Sequence, residues 1–314
     1  MPTEPPRPND PRAGVVFIDK ARGVSSFAAL GAVKRAFGTR KVGHTGTLDP
    51  FATGLIIALV GRATRCARYF SGLPKEYHVV IRFGAQTDTD DATGVEIRSA
   101  PLPSVERLED ALTGFRGTFE LLPPAYSALH VGGRRAYEIA RSGAQPDVKP
   151  RTVTVSRLQL VHTRLSDGDE QRVEAVTLDI ACTAGTYIRS VARELGAALG
   201  SAGHAESLMR TAIGPFALDA AVDQACVAPA NLHDLGTVLS QLPNMRLIEL
   251  PQDLVSAVSN GRPVGSDELS PGLSDFAAGD ERLVLMRGAA TIAIGRVQDG
   301  RVVYDVVLAE ADGG

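Results

Sequence analysis

Between residues 76 and 83 the chain alternates. Tyr77, Val79, Ile81 and Phe83 face one way, while Glu76, His78 and Arg82 face the other together with Val80. A period of two over this length marks a half-buried strand, which commits the chain to a sheet with one covered face. Residues 173–182 repeat the pattern, setting Val176, Leu178 and Ile180 against Thr177 and Asp179. Residues 14–19 and 152–160 read as further strands. The apolar run 55–60 is buried but too short to be typed by pattern alone.

Helical signals lie between these stretches. After a turn at Gly23, Ser25 or Ser26 can cap a helix whose Phe27, Leu30, Val33 and Phe37 share one face. Its opposite face carries Lys34 and Arg35, with Arg40 and Lys41 just beyond. Arg62, Arg65 and Arg68 recur at a spacing of three and form a basic stripe. Residues 105–115 read as a helix. Ile188, Val191, Leu195 and Leu199 define an amphipathic helix after a turn at Gly185, which places Tyr187 and Arg189 in its first turn. Residues 123–150 are bounded by Pro-Pro and Pro146, with Gly132-Gly133 and Arg134-Arg135 inside. They read as a long excursion from the core, the kind of loop that carries function.

The chain has 314 residues, 44% of them hydrophobic, enough for one large domain and a small one. Five prolines among the first twelve residues make residues 1–13 an expected disordered tail. Residues 221–246 have poor periodicity and read as a linker. From 247 to 309, short strands separated by Gly-rich turns suggest a small all-β domain. No apolar run approaches a membrane span and nothing resembles a signal peptide, so the expected compartment is the cytoplasm. Cys66, Cys182 and Cys226 lie far apart, which favours buried free thiols, and the six histidines show no ligand spacing. No metal site is expected.

Net charge is −3, yet it is unevenly spread. Residues 14–75 hold ten Lys/Arg against two Asp/Glu, and residues 221–314 hold six against thirteen. Such asymmetry points to a basic working face with an acidic appendage, although two unrelated solvated surfaces would give the same counts.

The most distinctive segment is Gly43-His44-Thr45-Gly46-Thr47-Leu48-Asp49-Pro50. Its glycines allow a close backbone approach, and Pro50 restricts Asp49 to an extended conformation. An Asp side chain is thereby held on a rigid loop. Local physics by itself favours a plain cap, with Asp49 closing the turn at residues 50–54.

The octet resembles the signature of the bacterial tRNA pseudouridine-55 synthase family. Other elements match in order. Lys20-Ala-Arg-Gly23-Val-Ser25-Ser26 resembles the family's Lys-Pro-x-Gly-x-Thr/Ser-Ser, with Ala21 in place of proline. Lys75-Glu76-Tyr77 resembles its Lys-x-Tyr element, and residues 87–94 the acidic turn after it. Residues 124–129 and 135–141 resemble the inserted loop. Gly185-Thr186-Tyr187-Ile188-Arg189-Ser190 and Leu208-Met209-Arg210-Thr211 complete the series.

The resemblance implies an α+β chain with the pseudouridine synthase fold over residues 14–220, a mixed and largely antiparallel sheet flanked by helices. It also implies an RNA-binding thumb at about 123–150 and a PUA-like domain at 247–309, matched through Leu247-x-x-Leu-Pro251 and Asn260-Gly-Arg-Pro-Val264. The acidic character of that last stretch departs from an RNA-binding surface.

The implied activity is isomerisation of a T-loop uridine of tRNA to pseudouridine, without metal or cofactor. Asp49 begins it as a nucleophile at the ribose or the base. Arg189 keeps Asp49 ionised and aimed, the alternative being a surface charge where the helix dipole disfavours a cation. Tyr77 stacks on the flipped uracil and reaches a proton, though a Tyr heading a strand also fits a core. Tyr187 and Leu208 complete the base pocket or are plain core. His44 disrupts a tertiary base pair as the uridine leaves its stack, or is a hydrogen-bonded loop histidine. Lys20 supports the loop, and Asp91 contacts RNA. Arg134, Arg135 and Arg141 in the insertion, with Lys34, Arg35, Arg40, Arg62, Arg65 and Arg68, hold phosphates. The implied partner is the tRNA T-arm, met by a monomer with no obligatory protein partner.

Three other readings compete. A non-catalytic RNA-binding or tRNA-folding protein could use the same groove. The guide-RNA-dependent relative of the family shares the octet but works in a ribonucleoprotein, and the full thumb-like insertion favours a stand-alone enzyme. A glycosidase would need a second carboxylate from Asp88, Asp90 or Asp91, and the basic face does not suit a neutral sugar.

Overall fold

The computed structural model describes residues 13–270 and 281–308, so the expected tail at 1–13 lies, but for Ala13, outside the described residues. The chain begins β1 (Gly14–Lys20), α1 (Ser26–Ala36), β2 (Val42–His44), β3 (Thr53–Val60), α2 (Ala67–Ser71) and β4 (Lys75–Phe83). A small hairpin, β5 (Ala85–Thr87) and β6 (Glu96–Ser99), precedes α3 (Leu108–Thr113) and β7 (Gly117–Leu121). The excursion holds β8 (His130–Val131), β9 (Arg134–Arg135) and α4 (Ala136–Arg141). The long pair β10 (Arg151–Ser166) and β11 (Asp169–Cys182) leads to α5 (Ile188–Ala198), β12 (Gly203–Ile213) and β13 (Phe216–Ala217).

These strands form one mixed sheet in the order β1-β3-β12-β4-β11-β10-β7. Every neighbouring pair along it is antiparallel except β3 and β12, which run parallel at the centre. This is the expected α+β architecture. The run that could not be typed is strand β3, apolar throughout because both its faces are covered. Ile56, Ala58 and Val60 join a core roofed by Leu30 and Val33 of α1, Leu108 and Leu112 of α3, and Val191 and Leu195 of α5. Leu55, Ile57 and Leu59 face a second core on the other side with Phe70 and Phe216. Beyond β12 that second side is open. It carries a charged ladder in which His78 meets Asp179 at 2.7 Å, Arg82 meets Glu174 at 3.1 Å and Arg164 meets Glu206 at 2.8 Å. β4 is therefore the half-buried strand its alternation predicts.

Helix α1 departs from expectation at one residue. Ser25 caps it by accepting from the Ala28 N–H, but the buried stripe is Ser26, Ala29, Leu30 and Val33, and Phe27 is 72% exposed. The helix is turned so that the Ser26 hydroxyl reaches the backbone of Leu48, which carries Phe27 out to solvent.

The stretch read as a linker is stitched into the sheet. It supplies β14 (Val222–Asp223) and β15 (His233–Asp234), both pairing with β1, and the buried helix α6 (Leu235–Leu239). A separate four-stranded sheet follows, built of β16 (Met245–Glu249), then, after α7 (Val255–Ser259) and α8 (Ser266–Leu269), β17 (Arg282–Arg287), β18 (Ala290–Gln298) and β19 (Arg301–Val307). The two short helices add to the all-β reading. Val284, Met286, Ile294, Val306 and Leu308 complete the second core, so this small unit packs directly on the main sheet.

Candidate active site

One transverse row of residues crosses the centre of the sheet. Lys20 pairs with Gly54, Gly54 with Arg210, and Arg210 with Tyr77, across β1, β3, β12 and β4. Gly54 is required there. Its φ is +102°, and a Cβ would overlap the Arg210 backbone, so only glycine lets the parallel strands approach. A cavity of about 280 Å³ opens above this row, lined by Asp49, Tyr77, Tyr187, Arg189, Leu208 and Arg210 among others.

The loop between β2 and β3 is anchored on both sides of Asp49. The Ser26 hydroxyl donates to the Leu48 carbonyl and accepts from the Leu48 N–H, each at 2.8 Å. Arg210, 1% exposed, donates through Nε to Leu55 O at 2.8 Å and through Nη2 to Gly46 O at 3.1 Å. The Gly23 N–H donates to Pro50 O at 2.7 Å, and Lys20 Nζ donates to Val24 O at 2.8 Å and Pro50 O at 3.3 Å. Burial pushes the Lys20 ammonium down to about 8, against the pull of Asp49.

With its neighbours fixed, Asp49 presents a partly exposed carboxylate to the cavity. The turn after it closes through its backbone carbonyl, which accepts from Ala52 N–H at 3.1 Å, and its side chain goes to Arg189. The plain-cap reading is thus set aside. The Arg189 side chain is 3% exposed and donates from Nε to Asp49 Oδ2 at 2.8 Å. It does not grip the carboxylate with two nitrogens, because Nη1 goes to Thr89 O at 2.7 Å and Nη2 to Tyr126 O at 2.8 Å. All three nitrogens are used, so the guanidinium has no freedom to swing.

Asp91 requires a correction. Expected at an RNA surface, it is 5% exposed and sits behind Arg189, its Oδ2 3.8 Å from Nη1. Its other oxygen accepts from Thr89 Oγ1 and the Thr93 N–H, both at 2.9 Å. The acidic turn folds inward because α5 presents two arginines to it: Arg193, one turn beyond Arg189, pairs with Asp90 at 2.5 Å.

Tyr77, Tyr187 and Leu208 all line the cavity, as the base-pocket expectation requires of their positions. Burial raises the phenol pKa of both tyrosines, more than the nearby arginines lower it. Leu208 is 6% exposed, pairing with Val79 across β12 and β4. His44 ends β2 beside the cavity but outside its lining, and its Nδ1 accepts weakly from the Gly46 N–H at 3.4 Å. Burial, then Arg210, lowers its pKa, so it is neutral near pH 7.

The base of the excursion reaches the site, with Ala128 and Leu129 lining the cavity beside the Tyr126 carbonyl that holds Arg189. Its arginines do not. Arg134 is exposed on the hairpin, Arg135 donates to Ala128 O at 2.5 Å, and Arg141 lies 5.4 Å from the Tyr137 ring centre. The stripe of Arg62, Arg65 and Arg68, expected to hold phosphates, instead faces the small unit. Arg65 donates to Val307 O at 2.5 Å, Arg68 to Asp305 O at 2.8 Å, and Arg62 to Leu308 O. The carbonyls along β19 and just past its end need donors, and this stripe supplies them.

Two charged residues of the lining have no role in the sequence reading. Arg210 and Lys75 lie inside matched segments, and no local pattern in either segment marks the side chain as buried. Lys75 Nζ donates to Ser71 O at 2.7 Å, and burial brings it down to about 8. Of the cysteines, Cys66 and Cys182 are buried thiols, while Cys226 is exposed.

A partly exposed carboxylate fixed by a buried guanidinium over a mixed sheet, with no second carboxylate among the described residues that line its cavity, is the setting of a pseudouridine synthase. Residues 34–188 match the model of the TruB family pseudouridylate synthase N-terminal domain. The tRNA pseudouridine synthase B of Mycobacterium tuberculosis (strain ATCC 25618 / H37Rv) is 38% identical over 253 residues, 79% of this chain and 83% of that protein. That of Bordetella pertussis is 44% identical over 213 residues, 67% and 84% of the two chains. The chain belongs to the TruB family of pseudouridylate synthases. A Cbf5-Nop10-Gar1 complex shares the fold at a TM-score of 0.67 and 19% identity, over 95% of this chain and 86% of that one.

Proposed function

We propose that this enzyme isomerises the T-loop uridine of tRNA at position 55 in the cytoplasm, acting as a single chain without a guide RNA or protein partner. The relatives' shared name, tRNA pseudouridine synthase B, supports tRNA as the substrate. The observation that carries the mechanism is the Asp49 carboxylate at the cavity, held at 2.8 Å by a guanidinium whose other nitrogens are already bonded. A nucleophile held this way loses little freedom on attack.

In this reading the uridine leaves its stack and enters the cavity, with His44 at the opening and Tyr77 against the base. Asp49 attacks the ribose or the base, the bond from N1 to the ribose breaks, the uracil turns, C5 joins the ribose, and the bond to Asp49 breaks to return its carboxylate. The hydrogen on C5 leaves as a proton and N1 gains one, so atoms balance without a cofactor. Tyr77, held as a neutral phenol by burial, stacks on the base and offers its hydroxyl to the proton movement. Tyr187 and Leu208 close the pocket, Lys20 holds the loop, and the arginines of the 123–150 thumb meet the RNA backbone. In the same reading the chain divides into a catalytic unit over 14–220 and a PUA-like unit over 247–309.

Release of tritium from 5-tritiated uridine in a T-arm transcript tests the reading. The purified protein should release tritium, and Asp49→Asn should slow release by at least about a thousandfold. Release undiminished in Asp49→Asn overturns the assigned nucleophile. Full RNA binding with no release by the unaltered protein would favour a binding protein.

A further inference from the structure

Phe27 is unexplained by the fold. It is 72% exposed, the one aromatic among the large exposed apolar side chains of the described residues. The Lys34 ammonium sits 4.3 Å from its ring centre, two turns along the same face of α1. Gly31, between them, has no side chain to cover the ground. Arg35 Nη1 lies 3.4 Å from where a Cβ on Gly31 would stand. The result is a bare aromatic ring beside two cations on a helix that contains no carboxylate. One residue away, Ser26 clasps Leu48, next to Asp49.

We propose that Phe27, Lys34 and Arg35 form a stacking platform for an unpaired nucleobase of the RNA loop that carries the target uridine. Lys34 occupies one approach to the ring and leaves the rest to solvent. A base has a π-face of any sequence to lay on it, and the phosphates that flank an unpaired base meet Lys34 and Arg35. An acidic or neutral apolar protein surface would satisfy the ring or the cations, but a nucleotide satisfies both. The helix that carries the platform is tied through Ser26 to Leu48, beside Asp49, so a base held there would fix the RNA at a second point while the target enters the cavity. This inference rests on the RNA-modifying reading above.

Equilibrium binding of the full chain to a T-arm hairpin carrying 2-aminopurine in turn at each loop purine provides the test. One position should show quenching on binding. Phe27→Leu, nearly equal in apolar bulk, should weaken binding about tenfold and abolish that quenching, and Phe27→Trp should keep both. Unchanged affinity in Phe27→Leu overturns the platform, as it would if a protein were the true occupant. Equal weakening by Leu and Trp would mean a contact other than stacking and also overturns it. Tritium release by the unaltered protein separates the two readings: release with an indifferent Phe27→Leu sinks the platform alone, while quenching without release sinks the enzyme reading and leaves the platform standing.

Discussion

Arg189 is worth most to Asp49 as a fixed donor, because its geometry is set by Thr89 O and Tyr126 O and leaves Nε for the carboxylate. Arg189→Ala should therefore lower the turnover rate roughly 100- to 1000-fold while changing RNA affinity by less than about threefold. Single-turnover tritium release and filter binding on the same preparation measure the two, and matching losses in both would refute the role. Lys20 gives a pH signature. Its ammonium, at about 8 in the fold, must keep its proton to hold the carbonyls of Ala21, Val24 and Pro50 together, since a neutral amine has only two N–H groups for three acceptors. Turnover should fall as pH rises through about 8, and Lys20→Met should be slower throughout and lack that fall. Stability moves the other way. The unfolded lysine, at 10.5, binds more protons than the folded one between about 8 and 10.5, so unfolding free energy from this group rises with pH in that window.

Among elements, α1 and the octet loop behave as one piece because a single buried hydroxyl satisfies both polar groups of Leu48. Ser26→Ala leaves the Leu48 N–H and carbonyl without that partner, at a cost of about 1–3 kcal/mol. Chemical denaturation should show that loss, with reduced tritium release from a loosened Asp49. Equal stability would mean that water replaces the hydroxyl. The expected strands and helices were legible here wherever one face of an element is buried, as in β4 and α5. Phe27 was misread for a physical reason: at i, i+3 and i+4 spacing two stripes fit α1, and the tie to Leu48 chose the one without the aromatic. Asp91 was misplaced because nothing local shows that two arginines from α5 would draw the acidic turn inward.

For the whole molecule, three of the ten basic residues of 14–75 are turned toward the acidic unit rather than held at a separate working face. Arg62, Arg65 and Arg68 bind the outer strand of the acidic unit, and the two parts share a core containing Val284, Met286, Val306 and Leu308. Substituting all three arginines with Ala should lower the melting temperature and open the region near residue 305 to proteases. The slope of RNA affinity against salt should stay as it was, whereas three lost phosphate contacts would shallow it by about one unit each.

The sequence by itself determined the strand faces, the short motifs and hence the family, since these depend on residue order and local spacing. It did not determine which motif residue would touch which. The register of four strands brings Lys20, Gly54, Arg210 and Tyr77 into one row, and only that register makes Arg210 the anchor of the loop. The same holds for the basic stripe, whose helical spacing was plain but whose partner lies about 240 residues further on. A charge is free for RNA only where the fold leaves no nearer acceptor, and that depends on packing across the whole chain.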